Sequence, residues 1–361
     1  MKLFSITKSS THKIYKIFGI RIKIRKPAVQ SSRRLTKVDV VKTVLYLCNG
    51  LFSTEDKVRY LSQRFYCIVG YYPNFKYPKS FNEKLSWIRF NLLDYEPDYI
   101  CNKLLFKSFV EEQLGSGYTA KLLKVFDNVE DLNFDGLPER FVIKTTYGFG
   151  ANAVCVVTDK STADLNRIKF TLSETINPWN RTIEHGLFRN NTPEFKIFVE
   201  EYLEDGDGQL KDYKFMCFNG EPKWVLACAN RGNNTSYENY DMDWNLFAPA
   251  KKSRTVSTVK RPENFDRMVE IAKKLSKPFP FVRIDFYNLK GKIYLGELTF
   301  IPGGGFNTYT KEYDEKFGEW LDLSKINPDN LNILPEFVAG AKTFIDPKIV
   351  ESHVALSKKE I

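Results

Sequence analysis

Histidine, a residue on which many hydrolytic and zinc sites depend, is almost absent from this 361-residue sequence. It occurs three times, as His12 in a basic arm, His185 in a polar loop and His353 near the C-terminus. The sequence therefore has too few histidines to favour a Ser-His-Asp triad or a histidine-based zinc site. Any metal ion must be held by oxygen ligands, which favours magnesium shared with a phosphate-bearing substrate.

The sequence also lacks long apolar runs and paired cysteines. No run approaches the roughly 18–20 residues of a membrane span, and the N-terminus lacks the apolar core and cleavage site of a signal peptide. The six cysteines are scattered singly, and Cys155, Cys217 and Cys228 lie in apolar segments where a buried thiol is expected. We expect a reduced, cytoplasmic protein.

Positive charge is concentrated at the N-terminus. Residues 1–44 carry twelve Lys/Arg and one acid, a net +11, which leaves −1 for the rest of a chain of formal charge +10. Within this arm, IRIKIRK (20–26) alternates apolar and basic residues and so predicts a strand or hairpin. Contact with the anionic inner membrane surface fits this arm, at about 1 kcal/mol per basic residue. A solvated edge strand fits as well, and no nucleic-acid partner is expected.

The first part of the body reads as helical. Ser80 and Glu83 form a capping box that starts a helix over 80–93. A second helix is predicted over 97–114, ending at glycines. Its buried residues are expected to be Leu105, Phe106, Phe109 and Leu114.

From residue 141 onward, short β-rich runs dominate. Asn219-Gly220 is a hairpin signal between two of them. A helix follows at about 262–276, with Pro262 in its first turn and an apolar face of Phe265, Met268, Ala272 and Leu275. With 43% hydrophobic residues the chain can bury a large core. Hairpins interrupted by helices predict an α+β fold and not a doubly wound parallel sheet.

The stretch FVRIDFYNLKGKIYLGELTFIPGGGF (281–306) places charged residues inside two apolar strands. Such groups are costly to bury unless something pairs with them. The residues in question are Arg283, Asp285, Glu297 and Thr299.

The register of this strand pair constrains what the acids can do. If the turn is Lys290-Gly291, Asp285 lies opposite Gly296, so a bulge is needed to bring Asp285 and Glu297 to one ion. Alternatively, Arg283 and Asp285 form a structural ion pair.

Two other segments carry candidate nucleotide contacts. In KTTYGFGANAVCVV (144–157), Lys144 ends a strand and Gly148 and Gly150 let backbone N–H groups approach a phosphate. Taken alone, a glycine-flanked turn with a surface lysine explains it better. FVEEYLED (198–205) could be a hinge strand whose backbone and acid read an adenine edge, or simply a strand end with exposed acids.

The order of these segments resembles that of the ATP-grasp ligases, which clamp ATP between two α+β lobes. PKSFNEKLSWIRF, EEYLEDGDGQLKDYKFMCFNGEPKWVL, PFPFVRIDFYN and GKIYLGELTFIPGGGF are similar to the teichuronopeptide-synthesis (TupA-like) branch found in bacterial surface-polysaccharide clusters. The resemblance covers roughly residues 70–323.

The resemblance implies roles for individual residues. Nucleotide binding falls to Lys103, Lys144, Gly148, Gly150, Glu200, Glu201, Leu203 and Asp212. Lys214 and Arg283 would contact the transferring phosphate. Magnesium would be bound by Asp285, Glu297 and Thr299. Thr299 occupies the position at which the usual pattern has asparagine. A hydroxyl is a weaker oxygen ligand than an amide, so the number of magnesium ions, one or two, is left open. Candidates for substrate contact are Arg231, Asp241, Asp243, Gly303 and Gly304.

The implied domains are a basic arm, a helical region, an N-lobe, a C-lobe with the metal site and a peripheral tail, at 1–60, 61–140, 141–209, 210–328 and 329–361. The implied activity is ATP- and magnesium-dependent amide formation between an amino acid and a uronic acid of a surface polysaccharide, through an acyl phosphate. A glycosyltransferase using Asp241-Met242-Asp243, a sugar phosphotransferase and a non-catalytic assembly factor remain alternatives.

Overall fold

The structure, a computed structural model, describes residues 4–8, 12–17, 20–25, 54–92, 98–147, 154–176, 195–205, 210–229, 235–250, 253 and 258–357. The chain divides into two compact units, Met1–Leu47 and Cys48–Ile361. None of the helices in the described ranges is both long enough and apolar enough to cross a bilayer.

The first unit contains a three-stranded antiparallel sheet. Its strands are β1 (Phe4–Lys8), β2 (His12–Ile17) and β3 (Ile20–Arg25), in that order. The strand predicted from the alternating basic stretch is confirmed as β3.

The second unit begins with four helices. They are α1 (Thr54–Val69), α2 (Phe81–Asn91), α3 (Asp98–Cys101) and α4 (Lys103–Leu114). The capping box of α2 is confirmed, since Ser80 and Glu83 each accept the other's backbone N–H.

The single helix predicted over 97–114 is wrong, because Asn102 interrupts it. The Asn102 side chain accepts hydrogen bonds from the backbone N–H groups of Leu104 and Leu105 and so starts α4 as a new helix. The buried residues of α4 are Phe106 and Val110, one helical turn apart, while Leu105 next to them is exposed.

A four-stranded antiparallel sheet follows. Its strands are β4 (Leu122–Phe126), β5 (Phe141–Thr145), β6 (Val154–Val157) and β7 (Ile197–Glu201), in the order β4-β7-β5-β6. Its core includes Phe141, Ile143, Val199 and, from helix α5 (Leu165–Ile176), Leu172. The region 61–140, which we predicted to be helical, thus also contains one strand, β4.

A six-stranded antiparallel sheet forms the largest layer. Its strands are β8 (Asp212–Phe218), β9 (Glu221–Ala229), β10 (Ser236–Asp241), β11 (Leu246–Phe247), β12 (Phe281–Leu289) and β13 (Lys292–Thr299), in the order β11-β10-β9-β8-β12-β13. Helix α6 (Phe265–Ser276) buries the predicted face of Phe265, Met268, Ala272 and Leu275. The helix starts three residues later than predicted, because Pro262 lies in a turn before it. The carbonyl of Pro262 accepts a hydrogen bond from the backbone N–H of Phe265 in that turn.

Both predicted hairpin turns are confirmed. Asn219 and Gly220 have φ of 47° and 85°, and Lys290 and Gly291 have φ of 50° and 84°. Two consecutive positive φ values are typical of the tight turns that match strand twist. The Lys290-Gly291 turn therefore fixes the register from which β12 and β13 pair.

The C-terminal part includes α7 (Lys311–Trp320), α8 (Val338–Ala341) and α9 (Pro347–Ser357). We expected residues 329–361 to be peripheral, but Phe337 and Val350 are buried. The Phe344 and Phe337 rings each lie 5.2 Å from an aromatic ring of α2, those of Trp87 and Phe90 respectively. The C-terminal segment therefore shields the aromatic side chains of α2 from water. The sequence of this segment alone does not indicate that contact.

Candidate active site

An open cleft lies between the four-stranded sheet and the six-stranded sheet. Helix α4 and the four-stranded sheet form one side, and β12 and β13 form the other. Four predicted nucleotide contacts line it: Lys103, Lys144, Glu200 and Leu203. The remaining lining residues are Phe106, Lys107, Thr119, Ala120, Phe198, Tyr287, Leu295 and Gly296. The structure thus brings together residues that are distant in the sequence.

Glu200 is the acid at the centre of this cleft. Its side chain is 7% exposed, and its two oxygens bind different lysines. Oε2 lies 2.8 Å from Nζ of Lys107, and Oε1 accepts a hydrogen bond from Lys144. Burial alone raises the pKa of Glu200, but the two ammonium groups outweigh burial and hold this pKa below its ordinary value.

Lys107 is a cleft residue that sequence reasoning missed. Lys103 and Lys107 are four residues apart on α4, so they project from one helix face. That spacing is the signal that could have found it. Burial lowers the pKa of both lysines. The backbone N–H of Lys103 also donates to the Thr146 carbonyl at 2.9 Å, which ties α4 to the end of β5.

The hairpin β12–β13 holds the second group of predicted residues. Asp285 pairs with Glu297 and Arg283 pairs with Thr299 in the register, and the register shifts between Asp285 and Phe286. Gly296 is the extra residue of this bulge, since Phe286 pairs with Leu295. The bulge predicted from the turn position is therefore confirmed, and it places the two acids opposite each other.

A network of opposite charges surrounds Asp285. Arg283 donates from Nε to Oδ1 of Asp285 at 2.6 Å and from Nη2 to Oε1 of Glu297 at 2.7 Å. Lys214 on β8 donates to Oδ2 of Asp285. Burial raises the pKa of Asp285, but Arg283 and Lys214 outweigh it and lower this pKa. The same acids keep the pKa of Arg283 above its ordinary value, although burial opposes them.

Asp212 and Thr299 complete this group. Asp212 is buried, and its Oδ2 lies 3.3 Å from Nζ of Lys214. The Thr299 hydroxyl donates to Oε1 of Glu297 at 3.1 Å. Cations and acids that the sequence separates by more than seventy positions thus meet in one network.

The oxygen donors of this network suit magnesium better than a transition metal. In the described part of the chain, no group of three or more His, Cys, Asp or Glu residues could hold a metal ion. Magnesium is often bound through only one or two carboxylates together with substrate phosphates and water. Asp285 and Glu297, with the hydroxyl of Thr299, fit that pattern, and the Glu297 side chain is 38% exposed.

Several predicted residues lie elsewhere or outside the described ranges. Glu201 turns away from the cleft lining, and its Oε1 accepts the backbone N–H of Lys121 at 2.8 Å. Gly148, Gly150 and Arg231 fall outside the described residues.

Asp241 belongs to a tight turn between β10 and β11. Its Oδ1 accepts the backbone N–H groups of Asp243 and Asn245 at 3.0 and 2.7 Å, and its Oδ2 accepts the Asn245 amide at 3.0 Å. Both carboxylate oxygens therefore have partners within the turn. This role accounts for an aspartate at 241 without a metal ion, whereas Asp243 is exposed.

The glycine run after β13 forms a left-handed turn. Gly303, Gly304 and Gly305 have φ of 61°, 65° and 75°, which glycine adopts more readily than other residues. The Gly304 carbonyl accepts a hydrogen bond from Nη2 of Arg89 on α2 at 2.8 Å. The backbone conformation thus gives a reason for these glycines that is independent of any substrate.

Two antiparallel sheets with a cleft between them, lined by three lysines and the buried Glu200, are typical of an ATP-grasp protein, of the ATP-dependent ligase class. Residues 83–322 match the family described as TupA-like ATPgrasp, and the chain belongs to that family.

Comparison with solved structures gives more remote similarities. The D-alanine–D-alanine ligase of Helicobacter pylori is 14% identical over 67% of this chain and 69% of that chain, with a TM-score of 0.37. The corresponding ligase of Bacillus anthracis is 17% identical over 73% and 70%, with a TM-score of 0.36. The VanG D-Ala:D-Ser ligase of Enterococcus faecalis is 15% identical over 62% and 60%, with a TM-score of 0.37. No curated protein matched the sequence.

Proposed function

We propose that this protein is an ATP- and magnesium-dependent carboxylate–amine ligase. The observation that supports this most directly is the bulged register of β12 and β13, which sets Asp285 opposite Glu297 beside Arg283. Two acids and a guanidinium at one point suit the transfer of a phosphoryl group, which depends mainly on positioning and charge stabilisation. The reaction would run through an acyl phosphate.

In this proposal the cleft binds ATP. Lys103 and Lys144, together with Gly148 and Gly150, would hold the phosphates. Glu200, the backbone near Glu201 and Leu203 read the adenine, and Asp212 takes the ribose hydroxyls.

Phosphoryl transfer would take place beside β12. One or two magnesium ions, held by Asp285 and Glu297 with Thr299 as a weaker ligand, would supply charge neutralisation on the phosphates. Lys214 and Arg283 would orient the γ-phosphate and stabilise its developing charge as a substrate carboxylate oxygen attacks phosphorus and ADP leaves. An amine then attacks the acyl carbon, phosphate departs, and the amine loses a proton.

The substrates that fit the family are an amino acid and a uronic acid of a capsular or other surface polysaccharide or its precursor. The basic arm at 1–44 would allow peripheral contact with the inner face of the cytoplasmic membrane, where a lipid-carried acceptor would lie. Gly303, Gly304, Arg231 and Asp243 remain candidates for substrate contact. The turn role of Asp241 reduces the support for a glycosyltransferase.

The test is phosphate release by the purified protein with ATP and magnesium. Glucuronate- and galacturonate-type acceptors would be screened in pairs with the twenty amino acids, and Glu297→Ala would serve as the inactive control. ADP and phosphate formed only when acid and amine are both present would support the ligase. ADP formed without an amine would favour a phosphotransferase. Consumption of a nucleotide sugar, with ATP intact, would favour a glycosyltransferase.

A further inference from the structure

The carboxylate of Glu200 is held from two sides by lysines of different elements. Lys144 comes from the neighbouring strand β5, and Lys107 comes from helix α4. Lys107 is itself fixed, because its Nζ also donates to the carbonyl of Ala120 at 2.7 Å, just before β4. A helix, a strand and a connecting segment therefore determine where Glu200 points.

An ionised carboxylate held in this way can offer a ligand only hydrogen-bond acceptors. It has about four lone-pair directions, and two lysine contacts leave others available. A contact between this buried carboxylate and another hydrogen-bond acceptor is unfavourable, because neither group can donate. A contact with an N–H group of the ligand forms a charge-assisted hydrogen bond. A base with an exocyclic amine therefore suits Glu200, and a base with a carbonyl oxygen at that position does not.

The two lysines are not equivalent once a nucleotide is present. In the proposed nucleotide site Lys144, near the end of β5, binds the phosphates, so a bound nucleotide would compete with Glu200 for its ammonium group. Lys107 already shares its ammonium group with Ala120 and contacts the other oxygen of Glu200. Lys107 would therefore keep its contact with Glu200 while Lys144 binds the phosphates.

We propose that Lys107 is a positioning residue that orients Glu200, so that the cleft selects a purine nucleotide with an amine at position 6 over one with a carbonyl there. This rests on the proposed nucleotide site and adds to it a residue that sets base selectivity. Lys107 acts through Glu200 and need not touch the nucleotide.

The experiment measures the dissociation constants of ATP and of inosine triphosphate, which has a carbonyl oxygen in place of the amine. Isothermal titration with the full chain would compare the wild type with Lys107→Met and Lys107→Arg. The matched control is Lys273→Met, because Lys273 also contacts a glutamate, Glu221, at 2.9 Å but with half-exposed side chains outside the cleft.

The expected wild-type preference for ATP is about tenfold or more, as for one hydrogen bond to a charged group. Lys107→Met should bring the ratio of the two constants close to one, Lys107→Arg should restore part of it, and Lys273→Met should leave it unchanged. If Lys107 has a purely structural role, Lys107→Met would weaken the binding of both nucleotides equally and leave the ratio of their dissociation constants unchanged. That result would overturn the proposal.

A second variant keeps the test decisive if Lys107→Met does not fold. Glu200→Gln has nearly the same size but can donate as well as accept, so it should abolish the preference for ATP. An unchanged preference in Glu200→Gln, or equal binding of both nucleotides by the wild type, would overturn the role of Lys107 and leave the nucleotide site standing. Failure of the wild type to bind either nucleotide would overturn the proposed function itself.

Discussion

Arg283 binds Asp285 through two hydrogen bonds, from Nε to Oδ1 at 2.6 Å and from Nη2 to Oδ2 at 2.8 Å. This ion pair was the structural alternative to a metal site on β12, and both interpretations use the same side chains. They are compatible if the cations neutralise the acids in the nucleotide-free chain and turn to the phosphates when a nucleotide brings magnesium. The pairing then becomes a measurable competition between Arg283 and a metal ion for Asp285 and Glu297.

Arg283→Met should therefore increase the affinity of the nucleotide-free protein for Mn²⁺. The two acids lose their shared guanidinium, and we expect binding roughly tenfold tighter, within the usual range of coupling between sites. Electron paramagnetic resonance of free Mn²⁺ measures it without any turnover. Adding Glu297→Gln to the variant should cancel the gain. Equal Mn²⁺ affinity in wild type and Arg283→Met would contradict the competition.

Asp285→Asn should lower the free energy of unfolding by about 3 kcal/mol, because it leaves Arg283 and Lys214 without the buried partner they share. Urea denaturation followed by circular dichroism measures this. The control is Asp266→Asn, which removes an exposed carboxylate 2.7 Å from Arg261 and should cost no more than about 1 kcal/mol. Similar losses in both variants would show that burial of the Asp285 network contributes little.

The stability of the fold should fall in acid partly through Glu200. Its pKa is lower in the folded chain than in the unfolded chain, where it should be about 4.3. The stabilisation is therefore present above that value and is lost as the pH falls through the folded pKa. Urea unfolding between about pH 6 and pH 3 should show a shallower pH dependence in Glu200→Gln than in the wild type. The same slope in both proteins would be evidence against a depressed pKa.

Gly318→Ala should destabilise the fold even though alanine favours helices by about 1 kcal/mol over glycine. A Cβ at Gly318 in α7 would lie 2.0 Å from the Lys79 carbonyl oxygen, next to the cap of α2, so backbone must move. We expect a loss of about 3 kcal/mol in thermal or urea unfolding, at the upper end for overpacking. Glu319→Ala, at the exposed next position, should change stability by less than about 0.5 kcal/mol. An unchanged Gly318→Ala protein would mean that α2 and α7 separate easily.

Local rules predicted the parts of this molecule that depend on a few neighbouring residues. The capping box at Ser80 and the bulge at Gly296 followed from spacing, because a cap needs one turn of helix and strand side chains alternate with a period of two. The turn at Asn219-Gly220 followed from its composition alone.

Features that depend on tertiary packing were not predictable in this way. Asn102 looked like an ordinary polar residue within a helix, and the cover that the tail gives to Trp87 has no local signal. Lys103, Glu200 and Leu203 came from the family resemblance, and their position in one cleft depends on how α4 and the sheets pack. Lys107 was missed because nothing in the helix sequence identifies a glutamate ninety-three positions away as its partner.

The packing of the C-terminal segment on α2 has a practical consequence for shortened versions of this protein. A polypeptide trimmed to the family match at 83–322 would lack Phe337 and Phe344, and the Phe90 and Trp87 rings beneath them would face water. It would also lose Ser80, the cap of α2. Exposed aromatic surface of this kind favours aggregation. The boundaries of sequence similarity are therefore narrower than those of the unit that folds.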